Sequence, residues 1–419
     1  MRRSWLKVCT CLIAGLYLAP AANSMQWQRP GVSDLPALAQ AALATAQSNP
    51  EALVVAALNA IRQNRLTDAD RMVDALLDAK PNYRLAHLLK GDLLMARAQP
   101  LAGIGSAPVR DDKLDDLRAE ATVRLARYDA PPPTDQIPAN LLQLTPAQKH
   151  ALVVDASKSR VYLFRNEDGT PRFVRDFYVT IGKLGFDKNR EGDQRTPLGV
   201  YFVTGHMPRE QLDKSYGNRA ELYGVGAWPL SYPNDWDKQM GRTGSGIWLH
   251  GVPYDTYSRA PKASNGCVAL SNTDMAALGA YLTPNTPVII APAIQWLNQT
   301  EWAARRNQAI AEVEAWRRDW ESLNTPRYLQ HYASEFRSGN HDLASWKTQK
   351  AAVNAGKQWA KIRLDNVNLF AYPTREGDML MADFAQDYRS SNLDNRTRKR
   401  LYFKQERADW KIVFEGSLS

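Results

Sequence analysis

Thiols are nearly absent from this chain of 419 residues, which has 3 cysteines, two of them at Cys9 and Cys11. A disulfide-stapled scaffold is thereby excluded, and Cys267 is left without a partner once the first residues are set aside. Histidine is also scarce, at 6 residues, and no His-Glu-x-x-His or other ligand spacing occurs, so neither a metal nor a cofactor is expected. The glycine run Gly241-Arg242-Thr243-Gly244-Ser245-Gly246 lacks the Lys-Ser/Thr that would make it a phosphate loop. No Lys/Arg block or aromatic-basic strip points to nucleic acid. After Leu18 there is no apolar run long enough to span a membrane.

What is present begins with Arg2, Arg3 and Lys7, an apolar run from Val8 to Leu18, and small residues through Pro20-Ala21-Ala22-Asn23-Ser24. That order reads as an export signal over residues 1–24, with no stable membrane insertion after its removal and the periplasm as destination. The net charge falls from +9 to +6 when those three basic residues leave, a mild positive field that suits an anionic polymer such as a cell wall.

Three patterned segments follow, and the expected organisation is multidomain. Residues 25–130 read as helical: Leu66, Ala69, Val73, Leu76 and Leu77 fall on one face, with Thr67 as cap and Pro81 as stop. Ala69, Pro81 and Gly91 sit at the spacings of the small residue, terminal proline and following glycine of a repeat, so this region resembles a tetratricopeptide repeat. Pro131-Pro132-Pro133, Pro138 and Pro146 mark a semi-rigid linker over 131–148. Over 149–295 the runs Leu152–Val154, Val161–Phe164, Phe177–Ile181, Val200–Val203, Ile247–Leu249 and Val288–Ile290 predict a mainly-β sandwich or partly closed barrel.

A lone thiol in an exported chain is either a small buried hydrophobe or a nucleophile. Its setting favours the nucleophile: Ser264-Asn265-Gly266-Cys267 follows His250-Gly251, and the turn residues Asn265 and Gly266 present the thiol while His250 offers a base. Seventeen positions separate base from thiol, too many for one helix and suited to strand, loop and returning strand. Thr196-Pro197-Leu198-Gly199-Val200-Tyr201, Ile247-Trp248-Leu249-His250-Gly251 and Ser264-Asn265-Gly266-Cys267-Val268, in that order, resemble the signatures of the L,D-transpeptidase catalytic domain.

The resemblance implies a periplasmic enzyme that acts on peptidoglycan stem peptides through a cysteine acyl-enzyme. Cys267 is then the nucleophile and His250 the base and acid, with Gly251 holding the second imidazole nitrogen by its carbonyl. The amides of Gly266 and Cys267 are expected to form the oxyanion hole, and His250 to enrich the thiolate. Two positions depart from the family pattern, Asn265 where histidine is common and Ala269 where arginine is common. Carboxylate recognition therefore passes to Arg259 or Lys262, with Ser264 and Asn265 as further substrate contacts. Transfer to a second stem peptide, hydrolysis as an L,D-carboxypeptidase, and release of a wall-linked lipoprotein as an amidase all remain open. So do a non-catalytic wall-binding scaffold and a protein partner for the helical region.

Residues 296–419 carry a helical stripe of Ala309, Val313, Trp316, Trp320 and Leu323. Strands are expected near Ile362–Leu364, Met379–Phe384, Leu401–Phe403 and Trp410–Phe414. This α+β cone resembles the nuclear-transport-factor-2-like domain found behind the catalytic domain in some L,D-carboxypeptidases.

Overall fold

Ala151-Leu152-Val153-Val154 is apolar at every position rather than at alternate ones, the pattern of a strand covered on both faces. In the computed structural model, which describes Leu43 and residues 49–106, 112–375, 377–407 and 409–418, it is the middle strand of a five-stranded sheet. The order across that sheet is Thr170–Tyr178, Arg160–Glu167, His150–Asp155, Pro287–Ala291 and Gly199–Phe202. Pro287–Ala291 runs parallel to His150–Asp155, and the other neighbours are antiparallel.

Period-two alternation sends the two sets of side chains to different cores. Leu152, Val154, Val161 and Leu163 pack with Trp228, Leu249, Val268 and Leu270, which belong to or flank a four-stranded sheet. That second sheet has the order Val268–Ala269, Trp248–His250, Gly226–Pro229 and Met207–Pro208. The two sheets form a sandwich, and both site motifs lie on or beside neighbouring strands of the smaller one.

Val153, Tyr162, Phe164, Val200, Phe202 and Ile289 face the other way and pack against Phe370, Tyr372, Met379, Met381, Tyr402 and Val413. Those partners belong to the C-terminal domain, so the two domains share one apolar core. Polar contacts seal the joint: Asn234 Nδ2 donates to Tyr372 Oη at 2.9 Å, and Arg400 pairs with Asp235 at 3.2 Å. Gly199, at φ +154, has no room for a side chain because a Cβ there would lie 2.6 Å from Tyr372 Oη.

The C-terminal domain is a seven-stranded sheet wrapped around a long helix, Gln299–Glu321, which opens on an Asn298–Glu301 capping box. Ala309, Val313, Trp316 and Trp320 are buried as the stripe predicted, and they meet Tyr328, Tyr332, Phe336 and Phe384. The expected strands are Ala360–Tyr372, Met379–Ser390, Leu393–Glu406 and Asp409–Leu418. A second helix, Leu343–Ala355, was not anticipated, because its apolar residues are too sparse to set a clear face.

Segment 131–148 does not run free of the sheets. Ile137–Pro138 pairs with Trp296–Leu297, and Leu141–Gln143 forms an edge strand of the seven-stranded sheet, where proline is tolerated nearby.

Residues 49–79 with 86–106 form one compact unit, and 80–85 with 112–418 a second. In the first, the helices Pro50–Arg62 and Leu66–Ala79 make a hairpin. Ala69, Met72, Val73 and Leu76 are buried, whereas Leu77 is only half-buried. Gly91 is exposed, with nothing within 4 Å of where a Cβ would stand, so it lacks the close packing a repeat glycine serves. A helical hairpin followed by a third helix, Arg84–Met95, is what these residues form; repeat character is not supported. The export signal, with Cys9 and Cys11, lies outside the described residues. Among those described, no helix is long and apolar enough to cross a membrane.

Candidate active site

Strand register brings His250 and Cys267 together. Trp248–His250 runs parallel to Val268–Ala269 with Leu249 beside Val268 and His250 beside Ala269, so Cys267 stands at the entrance to the strand next to that of His250. The imidazole is buried, and its Nδ1 lies 2.5 Å from the Gly251 carbonyl. A carbonyl only accepts, so Nδ1 carries the proton and Nε2 keeps the lone pair a base needs. Gly251 is held by crowding: a Cβ there would fall 2.2 Å from Asn272 Oδ1. Asn272 clamps this turn, accepting from Val225 and Val252 amides at 3.2 and 3.1 Å and donating to the Val252 carbonyl at 2.8 Å.

The thiol turn is equally constrained. Gly266 sits at φ +127, and a Cβ would come 2.8 Å from the Arg195 carbonyl. Thr196 Oγ1 donates to the Gly266 carbonyl at 2.9 Å and accepts the Gly182 amide at 2.9 Å, which shows what the Thr196-Pro197-Leu198-Gly199 motif supports. Cys267 Sγ donates to the Gly246 carbonyl at 3.3 Å, so the glycine loop at 241–246 aims the thiol.

Two expectations need correction. The Gly266 amide donates to Ser264 Oγ at 3.1 Å, and Ser264 Oγ donates to the Cys267 carbonyl at 2.6 Å, closing the turn on itself. Gly266 is therefore engaged, while the Cys267 amide has no acceptor among the described residues and is left to donate. Nor is the thiolate enriched at rest. Burial pushes the Cys267 thiol up to about 11, outweighing the Trp248 amide and the charges of Arg259 and Lys188. Burial likewise lowers His250 to about 4, against the hydrogen bond to Gly251 and together with the charge of Arg259. Both partners rest neutral.

Of the two proposed cations, Arg259 acts on both His250 and Cys267. It is half-buried, and it donates to the Ala263 carbonyl. No carboxylate pairs with it among the described residues. Lys262 is exposed on a short edge strand beside Ile181. Asn265 is exposed next to the thiol, and Ser264 is buried in the turn. Unanticipated neighbours are aromatic: the Tyr223 ring meets His250 edge-on at 5.2 Å and Trp248 at 4.8 Å. Their only sequence signal was Trp248 within the His250 motif.

Residues 149–290 match the L,D-transpeptidase catalytic domain, and residues 308–416 match the Cds6 C-terminal NTF2-like domain. Bd1075 of Bdellovibrio bacteriovorus is 27% identical, with a TM-score of 0.58 over 68% of this chain and 98% of that one. The helical cell shape determining protein Pgp2 of Campylobacter jejuni shares the fold, at 24% identity and a TM-score of 0.55 over 66% of this chain and 95% of its own. No curated protein sequence matches the chain.

Proposed function

For a chain that carries an L,D-transpeptidase catalytic domain followed by an NTF2-like domain, we propose a peptidoglycan acyltransferase working through a Cys267 thioester. The observation that carries this is the convergence of an Nδ1-fixed His250, a presented Cys267 and an Arg259 that has no carboxylate partner among the described residues. Cys267 Sγ attacks the carbonyl at the L-centre of the diaminoacid in a stem tetrapeptide while its proton passes to His250 Nε2. The Cys267 amide receives the oxyanion and Arg259 holds the carboxylate of the terminal D-alanine. The C–N bond breaks, His250 returns the proton to the leaving D-alanine amine, and a tripeptidyl thioester remains. An incoming nucleophile then gives its proton to His250, attacks the thioester, and releases the thiol.

The neutral resting pair sets the order of events. Thiol at about 11 and imidazole at about 4 make the free ion pair unfavourable by roughly 9 kcal/mol before the attraction of the ions is counted. Proton transfer therefore accompanies attack rather than preceding it.

With a second diaminoacid amine as acceptor the product is a 3-3 crosslink. Water as acceptor, an L,D-carboxypeptidase, is the second reading, favoured by the C-terminal domain's likeness to that of such hydrolases. Either outcome remodels the wall, and a role in cell shape follows. The protein acts on the exported side of the membrane. Incubation with purified peptidoglycan and mass analysis of the products tests the proposal. Crosslinked dimers support transfer and free tripeptides support hydrolysis; unchanged peptides would overturn both.

A further inference from the structure

The loop between His250 and Cys267 is held from outside the catalytic sandwich. Asn82 Nδ2 donates to the Tyr254 carbonyl at 2.7 Å, and the Tyr257 amide donates to the Asn82 carbonyl at 3.3 Å. The rings of Tyr83 and Tyr257 lie 4.6 Å apart. From the helix Asp112–Asp129, Glu120 Oε1 accepts the Ser258 hydroxyl at 2.5 Å, Arg124 at 2.8 Å and the Tyr83 hydroxyl at 3.1 Å. Arg124 stacks 4.0 Å over the Tyr178 ring, and Tyr178 Oη donates to the Arg259 carbonyl at 2.8 Å. Arg127 of the helix and Arg160 of the sheet share Asp176, two residues before Tyr178.

Glu120 and Arg124 are 1% and 2% exposed. Burying an ion pair costs both partners their hydration, so its presence here asks for a role other than stability. Its contacts supply one, because its hydrogen bonds converge on Ser258 and Arg124 stacks on Tyr178, which in turn bonds the backbone of Arg259. Thr180 continues the series, donating to the Ala260 carbonyl and accepting the Ala263 amide at 3.1 Å.

We infer that Glu120, Arg124, Tyr178 and Ser258 are positioning residues that fix Arg259 for recognition of a stem-peptide carboxylate. The inference rests on Arg259 being the carboxylate clamp. It makes a helix that precedes the catalytic domain in sequence a working part of substrate selection.

The test measures, by calorimetry on the full chain with Cys267→Ala to prevent turnover, the affinity for the stem tetrapeptide and for the same peptide ending in a carboxamide. An intact clamp prefers the acid by about 10- to 100-fold. Arg259→Ala abolishes that preference. Tyr178→Phe and Ser258→Ala leave the buried ion pair in place and lower the preference several-fold while carboxamide affinity holds. Combined with Arg259→Ala, neither adds a further loss, because both act through that residue. A purely structural role would weaken acid and amide alike, and that result overturns the inference. Wild-type preference in Tyr178→Phe and Ser258→Ala, with loss in Arg259→Ala, overturns the positioning role and leaves the clamp standing. Retention of preference in Arg259→Ala, or no binding of either peptide, removes clamp and positioning role together. D-alanine release by the same variants with Cys267 restored tests the catalytic reading separately.

Discussion

Alkylation of Cys267 by iodoacetamide reads the resting charge state of the site. Burial holds the thiol up at about 11, which leaves about 0.03% thiolate at pH 7.5, about 300-fold below an ordinary cysteine. A more basic thiolate is intrinsically more nucleophilic, and with a Brønsted coefficient near 0.4–0.5 this restores roughly tenfold. The expected alkylation rate is therefore about 20- to 30-fold below that of a free cysteine, with a logarithmic rate that climbs in proportion to pH until about 11. His250→Ala is expected to change this rate by less than about threefold, since a neutral imidazole does not create the thiolate. The same variant is expected to lose about 10²–10⁴-fold in D-alanine release, where the base is needed. Peptide mapping at Cys267 follows the reaction. Alkylation faster than a free cysteine, levelling off near neutral pH and slowed by His250→Ala, would refute the neutral-pair reasoning and restore a pre-formed thiolate.

Further outcomes follow from the same geometry. Gly266→Ala places a methyl 2.8 Å from the Arg195 carbonyl at φ +127, so we expect a loss of about 1–3 kcal/mol in denaturant unfolding and of D-alanine release. His250 is lowered in the folded protein to about 4, so its contribution is fully present above pH 6.5 and is lost as pH falls from there towards 4. The expected loss is about 3 kcal/mol, read as the pH-dependent stability difference between wild type and His250→Gln. A chain cut to residues 148–294 would uncover Val153, Tyr162, Phe164, Val200, Phe202 and Ile289. At about 1.5–3 kcal/mol each their uncovering rivals the whole stability of a domain, so light scattering should show aggregation, and a monomeric, cooperatively folding fragment would contradict the shared core.

The pairing of Cys267 with His250 was legible because its signals are local: a glycine before Cys267, a glycine after His250, and β-rich flanks that set neighbouring strands. Their charge states were not, because burial is decided by distant chain such as the Tyr223 ring and the loop ending at Gly246. Gly266 was assigned an oxyanion role from its place beside the thiol, yet Ser264, two residues earlier, takes its amide. Partners separated by 138 positions, such as Glu120 and Ser258, leave no periodicity to read. The continuous apolar strand Ala151–Val154 did carry a signal of two-sided burial, and a strand covered on one face alone would have alternated. The cone's long helix was visible from its aromatic stripe, while Leu343–Ala355 buries mainly Trp346 and Asn354 and shows no such stripe.

The central claim is a thioester on Cys267, and intact mass measurement of the protein mixed with stem tetrapeptide and quenched in acid tests it most directly. The account predicts an added mass equal to the tripeptidyl acyl group, mapped to the peptide containing Cys267, absent in Cys267→Ala and accompanied by one equivalent of D-alanine. D-alanine release by Cys267→Ala, or an acyl group on any other residue, would contradict it.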